Sequence, residues 1–265
     1  NKVVYETEII EPNAKKSEVT YPTSFPPEMT GTIYSAEETD KSTVSAFLWG
    51  ERYRKHFSTP VMAPTVDLDT MYGGLKVVRK GGGNQSISLR LEDKNGTQYV
   101  MRALRKSAVQ YIQALLFKEN YVEGQFDDTG TEDLVLDVFA GSHPYAPFVT
   151  GTLSDAVDLY HTNPKLFYIP KQKVLGDFNG EFGDALYMIE EHTSEGHSDL
   201  ASFGFRDKII STEDVMEKIH KDEDFVLDEA MYIRARLFDM LIGDWDRHYD
   251  QWRWIEFKEN GKKVY

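Results

Sequence analysis

The run of residues 75–104 constrains the fold more than any other part of the sequence. An Asn95-Gly96 pair lies between two segments that alternate apolar and polar residues, which is a strong signal for a two-residue β-hairpin. A third apolar segment precedes them and is joined by a glycine-rich turn. The strand-like segments are residues 75–80, 86–92 and 99–104. The run therefore predicts three consecutive antiparallel strands.

The rest of the chain mixes short apolar strands with amphipathic helices. Strands are predicted over residues 167–169 and 185–189, and Glu190-Glu191 is expected to end the second of them. Helices are predicted over residues 42–56, 108–120, 215–220 and 228–242. The third helix is preceded by a capping box, Ser211-Thr-Glu-Asp214, Gly243 terminates the fourth, and Asn260-Gly261 predicts a second hairpin. This mixture predicts an α+β fold.

Polar and proline-rich stretches suggest three regions. Prolines cluster before residue 28, where extended segments and turns are favoured. A polar stretch at residues 192–197 has the composition of a linker. We therefore expect an N-terminal extension at 1–74, a first lobe at 75–192 and a second lobe at 193–265.

The charge balance excludes several function classes. The chain has 30 Lys and Arg against 44 Asp and Glu, a net charge of −14, which argues against nucleic acid and anionic membrane surfaces as partners. It has no cysteine, which excludes disulfide scaffolds and thiolate chemistry. No apolar run approaches the roughly 20 residues of a membrane-spanning helix, so direct membrane insertion is not expected.

Polar side chains are densest at residues 243–252, directly after the last predicted helix, which is expected to be buried because apolar residues recur along it at helical spacing. Three aspartates, an arginine, a histidine and a glutamine lie there beside tryptophans, so several of these groups are expected to be half buried. Buried charges require a partner or a metal ion. The segment is either a structural loop tied by an Asp–Arg pair or a catalytic loop in which one aspartate orients a hydroxyl and a nearby oxygen holds a metal.

The motif Asp246-Arg247-His248-x-Asp250-Gln251 resembles the catalytic loops of phosphatidylinositol 3- and 4-kinases, HipA-type toxin kinases and secretory-pathway kinases. The resemblance implies that Asp246 is the catalytic base and that His248 supports the loop or contacts phosphate. It places Gln251 at the metal position, where those families have Asn or Glu, with Asp250 beside it as a second metal candidate. ATP and Mg²⁺ are the implied cofactors.

The first lobe matches the same resemblance in its order of elements. Gly81, Gly82, Gly83 and Gln85 resemble the glycine-rich phosphate loop, although a flexible hairpin turn is the alternative. Arg102 stands where kinases have the lysine that pairs with phosphates, and Lys106, one turn further on, is the other candidate. The alternative interpretation of both residues is a solvated charge at the end of a strand.

Two further glutamates have expected roles in this arrangement. Glu119 could pair with the phosphate-binding cation, although a solvated helix surface is the simpler interpretation. Residues 186–191, with Glu190, match the strand and hinge that read adenine through backbone groups. The implied fold is a protein-kinase-like two-lobe fold, with a small antiparallel-sheet N-lobe and a mostly helical C-lobe.

The chain as a whole resembles uncharacterised bacterial proteins in which such a block follows a calcineurin-like phosphoesterase domain and can precede an outer-membrane barrel. That context implies an extracytoplasmic location, in the periplasm or at the outer membrane, with a phosphoesterase or barrel domain as neighbour. The aspartate that binds metal in kinase-like folds is expected just beyond Tyr265, so this piece is expected to be truncated and to transfer phosphate poorly.

Three functions are therefore compared: an ATP-dependent phosphotransferase fragment, a non-catalytic nucleotide-binding pseudokinase, and a structural module of a larger envelope protein. Arg102 and Gln251 favour the second, because both depart from the kinase pattern. The phosphate acceptor is not identified by the sequence.

Overall fold

The computed structural model describes residues 20–41, 43–51, 53–81, 86–107, 138–139, 141–194, 196–244 and 247–265. Its α-helices are α1 Ala36–Thr39, α2 Thr43–Trp49, α3 Arg54–Ser58, α4 Pro147–Asp155, α5 Asn179–Phe182, α6 Thr212–Lys221 and α7 Glu229–Ile242. Its strands are β1 Glu28–Gly31, β2 Val61–Pro64, β3 Lys76–Gly81, β4 Ser88–Glu92, β5 Gln98–Ala103, β6 Lys165–Ile169, β7 Ala185–Glu191, β8 Ile209–Ser211, β9 Phe225–Val226, β10 Arg253–Ile255, β11 Phe257–Glu259 and β12 Lys262–Val264. The fold is α+β, with mainly antiparallel pairing.

A five-stranded antiparallel sheet in the order β3-β4-β5-β7-β6 forms the centre of the fold. The first three strands agree with the sequence prediction, but the turn is longer than the predicted two residues. The Asp93 N–H donates to the Thr97 carbonyl, so Lys94, Asn95 and Gly96 form a three-residue loop, which Gly96 closes with a positive φ of 88°. The prediction that Glu190-Glu191 ends β7 is wrong. Both glutamates stay in the strand because Glu190 pairs with Val100 and Glu191 pairs with Tyr99.

One face of this sheet covers the main hydrophobic core. Leu89, Leu91 and Met101 point into it from adjacent strands and are fully buried. Each such side chain contributes about 1.5–3 kcal/mol by leaving water. The remaining buried members of this core are Val66, Leu68, Leu75, Ala103, Ile169, Leu175, Phe182, Tyr187 and Ile189. The core includes residues from before position 75, so the described part of the expected N-terminal extension packs against the sheet.

The opposite face is apolar at one end and polar at the other. A smaller core covers the β6–β7 end, formed by Ile33, Tyr34, Phe57, Ala63, Tyr168 and Leu186. The β3–β4–β5 end carries arginines, and an irregularity between Val77 and Arg79 shifts the register of β3 there. Because of this bulge, Val77 pairs with the core residue Leu91 while Arg79 pairs with Arg90 on the opposite face.

The segment after residue 192 is less helical than expected. It contains α6 and α7, but also strands β8 to β12, among which β10 pairs with β8 and β12 pairs with both β11 and β9. The expected capping box of α6 is present, with Ser211 and Asp214 each accepting from the other's backbone N–H. Asp228 caps α7, Gly243 follows it at φ 77°, and the predicted hairpin turns at Asn260-Gly261.

Two helix predictions need correction. The helix expected over residues 42–56 is divided into α2 and α3, and Gly50 between them has φ 77°. Helix α7 was expected to be buried, yet Ile233, Leu237 and Leu241 are 57 %, 60 % and 80 % exposed. The apolar residues of α7 therefore form an exposed stripe as well as a packed one. The helix predicted at 108–120, with Glu119, lies outside the described residues.

Within the described part of the chain, no helix has both the length and the apolar character needed to cross a bilayer.

Candidate functional site

Four strands of the central sheet place Gly81, Ser88, Arg102 and Met188 side by side in one row, which we call the Arg102 row. All four lie on the face opposite the main core. Gly81 ends β3 and Ser88 begins β4, so the row directly borders the loop that joins them. Gly82, Gly83 and Gln85, the other expected phosphate-loop residues, lie outside the described residues.

Close packing explains the glycine at position 81. A Cβ atom at this position would lie 2.3 Å from the Ser88 Oγ atom, so any side chain would displace that hydroxyl. Glycine at this position therefore leaves room for the Ser88 hydroxyl next to the loop. In phosphate loops, the lack of a side chain on glycine also lets a ligand approach backbone N–H groups.

Arg102 is the cation at the centre of the row. It is partly exposed, and within the described part of the chain it makes no hydrogen bond or ion pair. The charge of Arg102 acts on Glu190, which pairs with Val100 two residues before Arg102 on β5. Burial raises the pKa of the Glu190 carboxyl, while a 2.8 Å hydrogen bond from the Thr162 hydroxyl and the charge of Arg102 act in the opposite direction.

Lys106, the alternative phosphate-binding cation, lies elsewhere. Its ammonium group is 5.0 Å from the centre of the Phe139 ring, a cation–π distance. Its backbone N–H and carbonyl both contact the Tyr34 hydroxyl at 3.3 Å. The structure thus places Lys106 beside the smaller core, whereas Arg102 lies partly exposed on the sheet face between the buried Ser88 and Met188.

The end of β7 determines which backbone groups remain available near this row. The His192 N–H donates to Gln98 and the Leu104 N–H donates to Leu186, so the even-numbered residues of β7 direct their backbone groups towards β5. Those of Glu191 point to the other side, beyond Lys165, where β6 begins opposite Ile189. Within the described part of the chain, Glu191, rather than the expected Glu190, has backbone groups that point away from β5 and meet no strand on that side.

The predicted catalytic segment begins with a charge network around Arg247. Its guanidinium lies 2.6 Å from Asp244 and 3.7 Å from Asp239, and Arg236 contacts Asp239 at 2.9 Å. Burial raises the pKa of Asp239, and the arginines oppose that effect. Two arginines therefore stabilise a buried carboxylate, which is the arrangement expected of a tied loop.

The second part of the segment is a 3₁₀ turn, Tyr249–Gln251. The Thr212 hydroxyl donates to the Tyr249 carbonyl at 2.9 Å, and Arg253 donates to the Asp250 carbonyl at 2.8 Å. These bonds hold the backbone of the turn. The expected catalytic base, Asp246, lies outside the described residues.

Three expected site residues, His248, Asp250 and Gln251, have exposed side chains in or next to this turn. The side-chain oxygens of Asp250 and Gln251 make no hydrogen bond within the described residues. Such oxygens are the ligands that Mg²⁺ prefers, so the pair fits a metal partner chemically. In the described residues, however, the His, Asp and Glu side chains form no group of three or more that could hold a metal by themselves.

Sequence reasoning missed four basic residues that the structure associates with the same side of the molecule. These are Arg79, Arg90, His192 and Arg253. A register shift turns Arg79 towards Arg90, and the charge of Arg253 acts on His192 although the two residues are far apart in the sequence. No local sequence signal identifies either feature.

Comparison of the chain with protein-family models, with curated proteins and with solved structures finds no match. Function is therefore inferred from the arrangement of the side chains.

Proposed function

We propose that this chain is a kinase-like, ATP-dependent phosphotransferase domain that binds the nucleotide phosphates on the Arg102 row. Bound ATP with Mg²⁺ would supply the transferable phosphoryl group. Gly81 would admit the phosphates to the backbone of the loop, Arg102 would neutralise their charge, and Glu191 would offer backbone groups to the base. Asp246 would orient the acceptor hydroxyl, with Asp250 and Gln251 as metal-facing oxygens.

The observation that carries the proposal is the position of Arg102. The glycine-rich segment that begins at Gly81 joins the first and second strands of the sheet, and Arg102 lies on the third, in the same row as Gly81 and partly exposed. Protein kinases place their glycine-rich loop and phosphate-pairing lysine in this relation. Arginine offers two parallel N–H donors to a phosphate, so it suits the same function.

A nucleotide-binding module without catalysis is the second candidate. The Arg247 network favours it, because ion pairs with Asp239 and Asp244 account for the loop structurally. Gln251 also differs from the Asn or Glu expected at a metal position.

Binding is tested by thermal unfolding with and without Mg-ATP. At about 100 times the dissociation constant, a ligand adds about 2.7 kcal/mol to stability, which raises the Tm of a chain of this size by about 5–10 °C. We expect Arg102→Ala to abolish this shift.

Lys106→Ala is the matched control. It removes a cation four residues away and weakens the contact with Phe139, so it should lower the Tm of the free protein but leave the shift caused by Mg-ATP. A shift that survives in Arg102→Ala, or that is lost only in Lys106→Ala, would refute the assignment of Arg102.

Phosphate transfer separates the two candidates. If the domain is catalytic, Asp246→Asn should lower turnover by about 10²–10⁴-fold, the usual contribution of a general base, without changing the Mg-ATP thermal shift. The comparison is made in a longer chain that also contains the expected metal aspartate, because its absence alone would make transfer poor. If that longer chain shows the shift but has no transfer activity to lose, the domain is the non-catalytic module.

A further inference from the structure

The polar end of the sheet face carries a second group of cations, next to the Arg102 row. We define the arginine cluster as Arg79, Arg90 and Arg253 with His192 among them. Arg79 and Arg90 are direct cross-strand partners on β3 and β4. His192 follows β7 and pairs through its N–H with Gln98, the first residue of β5.

Like charges placed directly opposite each other on adjacent strands destabilise a sheet. The pair Arg79–Arg90 has this arrangement, and the bulge in β3 is what turns Arg79 towards Arg90. In agreement, burial and then the charge of Arg79 lower the pKa of Arg90. The positive charges of Arg79 and Arg90 thus oppose each other across the two strands.

Arg253 brings a third guanidinium from a distant part of the chain. It belongs to β10, two residues after the 3₁₀ turn, and its charge, together with those of Arg90 and Arg79, acts on the His192 ring. Its Nη1 atom donates to the carbonyls of Asp250 and Trp252 at 2.8 and 2.7 Å. These bonds hold the guanidinium in place without neutralising it.

The acidic side chain that follows Arg90 on the same face of β4 is engaged elsewhere. Glu92 lies on the same face, but it forms an ion pair with Lys76 at 2.8 Å and accepts from Gln98, which in turn accepts from Arg90 at 3.0 Å. Among the described residues no carboxylate forms an ion pair with Arg79, Arg90 or Arg253. This convergence of cations occurs in a protein whose net charge is −14, where acidic partners are abundant.

We propose that the arginine cluster is a binding site for a multiply charged anion of the phosphate class, separate from the Arg102 row. A phosphate group would accept hydrogen bonds from the planar donors of several arginines and would remove the repulsion between Arg79 and Arg90. Because Arg253 follows the Asp250–Gln251 turn, the bound anion would connect the sheet to that turn. The site does not depend on nucleotide binding.

Inorganic pyrophosphate is the probe, and its binding is measured by calorimetry at low ionic strength. We expect binding with one pyrophosphate per chain. Arg79→Gln and Arg253→Gln should each weaken it by about tenfold or more, equivalent to about 1.4 kcal/mol. Arg79→Gln should also raise the Tm of the free protein, because it removes the repulsion with Arg90.

Lys80→Gln is the matched control, because Lys80 is adjacent to Arg79 but lies on the other face of β3, paired with Glu181 at 2.6 Å. It makes the same change in net charge and should leave the pyrophosphate affinity within about twofold. Equal weakening by Lys80→Gln would show nonspecific attraction and overturn the proposal, as would the absence of binding.

Competition distinguishes this site from the proposed nucleotide site. Pyrophosphate should still bind to Arg102→Ala, and saturating Mg-ATP should not displace it from the unmodified protein. Displacement by Mg-ATP, or loss of binding in Arg102→Ala, would mean that a single site exists and would overturn the inference. If Mg-ATP fails to bind while pyrophosphate binds as expected, only the proposed function is refuted.

Discussion

Gln172 shows how one buried polar side chain holds a connection of this fold. It is 2 % exposed, and its amide accepts from the Leu68 N–H at 2.7 Å and donates to the Val66 carbonyl at 3.1 Å. Its own backbone N–H and carbonyl bond to the Asn179 side chain at 2.8 Å. The segment after β6 is thus bonded to the chain that precedes β3, beneath the main core.

Replacing Gln172 with Leu should destabilise the protein strongly. The change leaves the Leu68 N–H and the Val66 carbonyl buried without their partner, at about 1–3 kcal/mol each, so a total loss of about 3–5 kcal/mol is expected. Urea unfolding measures it. The exposed neighbour provides the control, and Lys173→Ala should change stability by less than about 0.5 kcal/mol. Similar losses in the two variants would contradict the role of the amide.

At the scale of secondary-structure elements, α7 presents two different faces. Phe238 and Asp239 are buried, whereas Ile233, Leu237 and Leu241 are exposed by more than half. Tyr232 contributes to the packed side, with its ring 5.3 Å from that of Trp252. The helix is therefore held by one narrow face and by its caps, and most of its apolar periodicity lies on the exposed side.

Substitutions on the two faces of α7 should have very different effects. Phe238→Ala should cost about 3–5 kcal/mol, because it leaves a cavity on the packed side. Leu237→Glu, one residue earlier, should change the free energy of unfolding by less than about 0.5 kcal/mol. Chemical unfolding followed by circular dichroism compares them. A large loss in Leu237→Glu would show that this face is covered in solution.

Elements with local signals were predictable from the sequence. The Asn-Gly turns, the Ser211 capping box and the end of α7 at Gly243 each depend on residues within one or two turns of chain. The prediction for Glu190-Glu191 was wrong, because two carboxylates do not end a strand whose backbone is paired on the β5 side. Exposure of α7 was also missed, since periodicity shows that a helix has an apolar face but not whether anything covers it.

At the scale of the whole molecule, the pKa of His192 depends on charges from both the central sheet and the later strands. The imidazole is surrounded by charges from three elements: Arg79 on β3, Arg90 on β4 and Arg253 on β10, with His197 nearby on its own segment. Burial first, and then these charges, lowers the pKa of His192 from 6.5 to about 4. The ring is thus neutral in the folded protein at neutral pH.

The lowered pKa makes the fold sensitive to acid. Between about pH 6.5 and pH 4 the unfolded chain binds a proton at His192 that the folded chain does not, so this contribution to stability is complete above pH 6.5 and lost as the pH falls to 4. For this half-buried ring we expect about 1–2 kcal/mol.

Urea unfolding at pH 7.5 and pH 5 measures the effect. His192→Gln should reduce the loss of stability between these two pH values, whereas the exposed His220 on α6, changed in the same way, should not. If His192→Gln loses as much stability between pH 7.5 and pH 5 as the unmodified protein does, another group causes the acid sensitivity. Added pyrophosphate should also reduce the loss, because an anion in the arginine cluster favours the protonated ring.

The residues of the candidate site also differ in whether the sequence alone identifies them. Gly81 and Arg102 could be identified from the order of residues along the chain, because glycine-rich turns and strand-end cations are local patterns. The choice between Arg102 and Lys106 needed the sheet, since only the register shows that Arg102 shares a row with Gly81 and Ser88. Lys106 is directed to Phe139 by packing that no spacing predicts.

The sequence by itself determined the three strands β3 to β5, the positions of the two Asn-Gly hairpins, the helix caps and the exclusion of thiol chemistry, because turns and caps arise from interactions between near neighbours. Only the tertiary structure decided which charges meet. One extra residue in β3 turns Arg79 towards Arg90, and chain folding brings Arg253 to His192 across more than 60 positions. Like charges lie close together there because the favourable free energy of folding of the whole chain exceeds their repulsion. No local segment of the sequence determines that total.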